Sequence, residues 1–419
     1  MRLFRLELKR VIKTRTTWIL LAAALLISVL MAWLPVTFET RNVVEDGVEK
    51  ELTGFDAIRV KRQAQAGIAG EITEAQLKAA AETAVRVLRE YEKEYMYQLP
   101  TEVYVEKILP VAPLLSRVPE VYADAETGMA PGIAALDPDW LDHFYESCPV
   151  HLKNLMKLEQ RDYPEAGEKA EKMYAKVKMP FVFYPGYSTN AYDYQMLTIF
   201  LLVLLCVIIA APIYSAEYQT HADDILRCAK YGKGKLAVIK LAAAVLITAV
   251  SFALCMALHL ILSNSFFGWD FLKSSMQLVF STVSLSAMTI GQLQLAVAAA
   301  GFASLLASVS FTLFLSSRCQ NTVAALALAL LFFLSPIILF MASGGNGISW
   351  LRCLLPSGGV SILGGFASEM TDFNFLHIGS RCVWTPYVIL VAALVEIPVF
   401  TVLTIRSYCR HSQEHKLFV

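Results

Sequence analysis

The sequence predicts an all-α polytopic membrane protein, with six transmembrane helices and a mainly helical extracytoplasmic domain. Three observations carry this. Of 419 residues, 56% are hydrophobic and only 17% charged, whereas a soluble globular chain carries about a quarter charged residues. Apolar runs of about 20 residues, each long enough to cross a bilayer, recur along the chain. Charge is also segregated: residues 37–193 hold 18 Lys+Arg against 27 Asp+Glu, and the remainder holds 18 against 9. A basic membrane part and a separate acidic polar domain follow from that division. The eight cysteines include no CxxC pair and no zinc spacing, so neither a metal site nor a disulfide framework is indicated.

Residues 1–16 read as a cytoplasmic amphipathic helix. Arg2, Arg5, Lys9, Arg10, Lys13 and Arg15 are basic, while Phe4, Leu8, Val11 and Ile12 share one helical face. Such a helix lies on an anionic inner membrane surface or serves as a plain positive-inside anchor. The run 18–35 is too long for a signal-peptide core and is followed by no small-x-small cleavage pattern. Residues 17–36 are therefore the first span, with Trp18 and Trp33 near its two interfaces. The extracytoplasmic domain is 37–193. Within it, 72–99 has Leu77, Ala81, Ala84, Val85, Leu88 and Tyr91 at helical spacing, and Thr73 with Gln76 can cap it. Residues 150–178 read as further helix interrupted by Pro164, and 100–149 as loops and short elements. The aromatic stretch 180–194 fits an interface belt where the chain re-enters the membrane.

Spans two to six occupy 194–406, at about 194–215, 236–262, 290–315, 322–342 and 386–405. Residues 264–289 form an outer loop with Phe266, Phe267 and Trp269 at the interface. The fourth span is rich in small residues and so packs inside the bundle. An outer element near 349–384 is too broken to span, but 353–367 is apolar enough to be re-entrant. The sixth span ends at Arg406, leaving 407–419 as a basic cytoplasmic tail. Basic residues in the N-terminus, the 217–235 island, the inner turn and the tail place both termini in the cytoplasm.

The island EYQTHADDILRCAKYGKGK at 217–235 is expected to hold a short helix near 220–231. Thr220 and Asp223 have capping-box spacing, Asp223 and Asp224 suit the positive end of the helix dipole, and Arg227 and Lys230 suit the other end. Ala222, Ile225, Leu226 and Ala229 make a small apolar face, and Gly232 and Gly234 stop the helix. It is either a docking element or a solvated loop. There is no GxxxxGK[ST], HExxH or GxSxG motif, so no ATP binding or hydrolytic chemistry is expected of this chain. Glu396 lies in the middle of a span, where an ionisable group is a functional candidate or hydrogen-bonds within the bundle. Gln292 and Gln294 could link helices or line a path. His259 reads as a satisfied interior histidine. Cys353 and Cys382 could pair.

The order of these features resembles permease subunits of the ABC-2-type transporter family. Carrying the resemblance are Glu217 after the second span, Asp224 to Leu226 in a short helix, the basic and Gly residues 231–235, and Lys240 opening the third span. MTIGQL at 288–293, LSSR at 315–318 and the Leu355-Pro356 pair add to it. The acidic domain lies outside the resemblance. What the resemblance implies is a permease subunit of an exporter in a bacterial plasma membrane, paired with a second or similar permease copy. Its separate ABC ATPase subunit would bind ATP and Mg and dock on Glu217, Thr220, Asp223, Asp224, Ile225, Leu226 and Arg227. The basic N-terminal helix would lie beside that contact, against membrane lipid, and nucleic acid is not a partner. The substrate is left open, with amphipathic, peptide or lipid-like cargo favoured. The alternative is ATP-driven signalling through the outer domain, and a third reading is a membrane enzyme or receptor with no ATPase.

Overall fold

The computed structural model describes residues 2–45, 47–229, 232–342 and 344–414. It is an all-α polytopic membrane protein: among the described residues, six helices are long and apolar enough to cross a membrane. The first helix, α1 (Arg2–Lys13), buries Glu7 and Val11 and keeps Arg2, Arg5, Lys9 and Lys13 exposed. Thr14 is extended and breaks the chain direction before α2 (Arg15–Thr37). This first spanning helix is apolar all round, as a helix facing lipid must be. Its one buried stripe is small, with Ala24, Ser28 and Ala32 spaced one turn apart. Small side chains there let neighbouring backbones approach closely.

The polar domain follows. It opens with a hairpin of β1 (Thr40–Glu45) and β2 (Val48–Thr53), pairing from Thr40 opposite Thr53 to Glu45 opposite Val48. Helix α3 (Phe55–Ala64) precedes α4 (Glu74–Glu90), whose Thr73–Gln76 capping box is present in both directions. The long 150–178 helix resolves into α5 (Phe144–Glu159) and α6 (Pro164–Tyr174), because Pro164 opens the second rather than interrupting one. Leu77, Ala81, Ala84 and Leu88 of α4 and Phe144, Cys148 and Leu152 of α5 are all buried in the hydrophobic core. Two short strands, β3 (Gly70–Glu71) and β4 (Val182–Phe183), close this core. Phe181 and Phe183 are buried in it, so the 180–194 stretch is domain core and not only an aromatic membrane belt.

The chain returns through α7 (Thr189–Ala210) and α8 (Pro212–Gln219), which form one candidate span of 31 residues bent at Pro212. A short helix α9 (Ala222–Cys228) precedes α10 (Gly234–Phe267). With 34 residues, α10 is about 51 Å long and outreaches a hydrocarbon core of about 30 Å. Phe267 belongs to this helix and is buried; Trp269 is exposed. The 268–289 segment is therefore not a free loop. It is clamped under the domain: Glu120 accepts from Ser281 Oγ at 2.9 Å, from Thr282 Oγ1 at 2.6 Å and from Thr282 N. Tyr174 Oη donates to the Thr282 carbonyl at 2.8 Å.

Helix α11 (Ile290–Arg318) is the central post, packed against α7, α10, α12 (Thr322–Met341) and the last helix. At Gly301 a Cβ would come within 2.6 Å of Ile199 Cγ2 on α7, so only glycine lets these helices meet. Beyond α12 come α13 (Asn346–Cys353) and a hairpin of β5 (Phe375–Ile378) and β6 (Arg381–Trp384). Between them a buried wedge inserts among the helices. Ser308 Oγ donates to the Pro356 carbonyl at 3.1 Å and Ser357 Oγ to the Phe333 carbonyl at 2.9 Å. Ser308 lies about 27 Å along α11 from Ile290. Cys353 and Cys382 are both buried and both free, so the pairing that the sequence left open is not made. The last helix, α14 (Thr385–Glu414), does not stop at Arg406. A basic residue does not break a helix that has left the membrane, so much of the expected tail is helical; residues 415–419 of that tail lie outside the described residues.

Candidate functional site

The end of the bundle away from the domain gathers α1, the α8–α10 connection and the end of α14. Local chemistry explains its shape. Pro212 has no N–H, so the helix bends there and frees carbonyls. Ser316 of α11 stitches the bend: its hydroxyl donates to the Ala211 carbonyl at 2.6 Å and accepts from Tyr214 N and Ser215 N, each at 3.0 Å. Tyr214 is fully buried and donates to the Ala237 carbonyl of α10 at 2.7 Å. Its ring lies 5.2 Å from that of Tyr408 on α14.

Glu217 sits at the centre, 5% exposed, and forms a close ion pair with Lys240, which is 1% exposed. Arg10 reaches it from α1, with Nη1 3.1 Å from Glu217 Oε1 and Nε 2.8 Å from Glu7 Oε2. Four charges from three elements thus neutralise one another. Glu217 and Lys240 are buried, so removing either strands the other in a low dielectric, whereas Arg10 is exposed. Lys240 also stands 5.8 Å from the centroids of both Tyr214 and Tyr408, within cation–π reach. The sequence singled out Glu217 and Lys240, but it read Arg10 as a lipid contact. Residues 10 and 217 are too far apart in sequence for any local pattern to announce their pairing.

The expected helix near 220–231 is shorter than foreseen, and its cap is different. Thr220 does not cap it: Thr220 Oγ1 turns back to the carbonyls of Ala216 at 2.9 Å and Glu217 at 3.3 Å, ending α8. His221, in a left-handed conformation with φ 55°, precedes α9 and makes no side-chain cap bond. Asp223 is buried, Asp224 and Ile225 are exposed, and Leu226 is half-buried. The apolar face is consequently split, and Ile225, 78% exposed, projects alone. The helix ends at Cys228 with Ala229 extended, before either glycine; Gly234 instead opens α10. Lys230, Tyr231 and the side chain of Arg227 lie outside the described residues.

Within the bundle, Gln292 links no helices: it caps its own, Oε1 accepting from Thr289 N at 3.0 Å. Gln294 does link them, exchanging amide bonds with Asn264 at 3.2 and 3.3 Å and giving its carbonyl to Gln195 Nε2 at 3.0 Å. His259 Nδ1 lies 3.3 Å from both Thr198 Oγ1 and the Ser28 carbonyl, while its buried Nε2 has no partner among the described residues. Glu396 is half-buried and its Oε2 has no partner among the described residues, so the expected hydrogen bond within the bundle is absent at that oxygen. An apolar cavity of about 460 Å³ opens between α11, α14 and the domain, with Ala296, Ala300, Phe366, Trp384 and Leu390 in its wall and Lys176 beside it. No cluster of three metal-ligating side chains occurs among the described residues. No protein-family model matches the chain, and neither does any curated protein.

Proposed function

We propose that this chain is the membrane-spanning permease subunit of an ATP-binding-cassette exporter, driven by a separate ATPase that binds ATP and Mg. The observation that carries the reading is the Arg10–Glu217–Lys240 cluster. It ties α1 and α8 to α10 around the buried Glu217–Lys240 pair, and α9 hangs from that block with Ile225 exposed. A short helix on a rigid base transmits a push into the bundle, where a slack loop would absorb it. Docking of the ATPase on α9 on the cytoplasmic side would move α8 and α10 together. Two permease copies would form the path between them, and the apolar cavity beneath the domain suits amphipathic cargo.

The test is co-purification. Ile225→Asp together with Leu226→Asp is expected to remove a stoichiometric ATPase from the detergent-purified protein while its melting temperature stays the same. A normal amount of ATPase on that variant would reject the docking role of α9. A second reading, ATP-driven signalling through the domain, is favoured by one feature. Gln160 Nε2 donates to the Phe373 carbonyl at 3.4 Å, and Lys169 Nζ to the Cys382 carbonyl, so the domain is tied to the segment leading into α14. An ATP-dependent change in the domain with no flux would select that reading.

A further inference from the structure

The polar domain holds a second cavity at the end of the molecule away from α9. Its volume is about 670 Å³, within the range of small-ligand sites. Arg41, Lys61 and Arg117 line it, against a single carboxylate, Glu39. Glu39 is already committed: it is buried, accepts from Ser188 Oγ at 2.8 Å, and lies 3.8 Å from Lys61 Nζ. Neither arginine has a carboxylate within ion-pair distance among the described residues. Arg41 gives Nη1 to the Thr40 carbonyl at 3.0 Å, and its buried Nε has no partner among the described residues. Arg117 gives Nε to the Val279 carbonyl at 3.3 Å, which leaves its two Nη groups for another acceptor.

Two half-buried guanidinium groups beside a lysine, neither with a carboxylate in ion-pair reach among the described residues, leave donors free for an anion. The start of α7 adds further donors. Thr189 and Asn190 line the cavity, and Ser188 Oγ takes only the Ala191 N–H. The first amides of this 22-residue helix therefore have no intrahelical acceptor and present the positive end of its dipole.

We infer that this cavity binds a phosphate-bearing ligand, with Arg41 and Arg117 as paired guanidinium forks and the start of α7 as a third donor. Planar forks match phosphate oxygens in pairs. A phosphate offers three terminal oxygens to these three donor groups, where a carboxylate offers two. A neighbouring cavity of about 560 Å³ shares Thr40, Arg41 and Tyr104 and is flanked by the stacked Tyr95 and Tyr97 rings, which leaves room for the rest of the ligand. The phosphate could come from a soluble ester or from a lipid headgroup, since the cavity lies where α2 and α7 leave the bundle.

The experiment uses the full chain in neutral detergent and two probes. Inorganic phosphate is titrated calorimetrically, and retained phosphatidic acid, a monoester whose phosphate keeps three terminal oxygens, is counted by native mass spectrometry with and without added phosphate. Saturable phosphate binding that displaces the lipid indicates a soluble ester; retained lipid that phosphate does not displace indicates a headgroup. In either case Arg41→Gln with Arg117→Gln is expected to weaken binding at least tenfold, and Lys273→Gln, on the exposed surface, to leave it unchanged. The probe that binds is also expected to slow acetic-anhydride labelling of Lys61 severalfold in the unaltered protein. This readout stands even if the double variant folds poorly. Absence of saturable binding by both probes, full binding by a folded double variant, or no protection of Lys61 would each overturn the inference.

Discussion

Lys240 lies 1% exposed in a largely apolar helix, and only its carboxylate partner makes that position tolerable. Lys240→Met is expected to destabilise the protein by about 3–5 kcal/mol, since Glu217 then keeps Arg10 alone. Adding Glu217→Gln should recover most of the loss. Thermal unfolding in detergent reads this cycle, and two losses that simply add would show the groups to be independent. His151 makes a pH prediction in the domain. It is buried, and burial holds its imidazole below the ordinary histidine range, Glu120 opposing weakly. The unfolded group titrates near about 6.5. Its contribution is therefore fully present above that pH and is lost as pH falls toward the lower folded value. The domain's melting temperature should drop on acidification below about 6.5, and His151→Gln should flatten the slope; an unchanged slope would clear His151. At this scale the sequence was a partial guide. Thr220 and Asp223 have the spacing of a cap, yet Pro212 had already started a helix. Thr220 therefore falls at that helix's end, where its hydroxyl reaches the Ala216 carbonyl instead.

Elements were more legible than contacts. Hydrophobic length places all six spanning helices, because no other arrangement hides so many apolar side chains. The Thr73–Gln76 cap is local chemistry and formed as expected. The β1–β2 hairpin escaped notice although the Asp46-Gly47 dipeptide is a hairpin signal; an acidic, alternating VEKELT strand offers little apolar pattern to support it. The clamped 268–289 segment was hidden for another reason: its partners, Glu120 and Tyr174, lie more than 100 residues away. The small stripe on α2 makes a prediction at this scale. Ala32 is 0% exposed, so Ala32→Leu must push α2 off α7 and α10, at a cost of about 1–3 kcal/mol. Leu26→Ala on the exposed face should change stability by far less. Equal melting shifts for the two variants would mean that α2 does not pack through its small residues.

For the whole molecule, the native cysteines report orientation. Cys228 is exposed on α9, whereas Cys148, Cys353 and Cys382 are buried in or beside the domain. If the loop end faces the cytoplasm, a membrane-impermeant maleimide should label Cys228 in inverted vesicles and spare it in intact cells. Labelling of Cys228 from outside intact cells would turn the molecule over and remove the ATPase reading with it. The long insertion between the first two spanning helices also bears on how the chain is made. Helix α2 ends at Thr37 and its partner α7 begins at Thr189. At roughly 5–20 residues per second, the ribosome needs about 8–30 s to deliver that partner. Through this interval α2 must stand in lipid by itself, so its nearly uniform greasy surface is the requirement of a nascent chain as much as of the finished bundle.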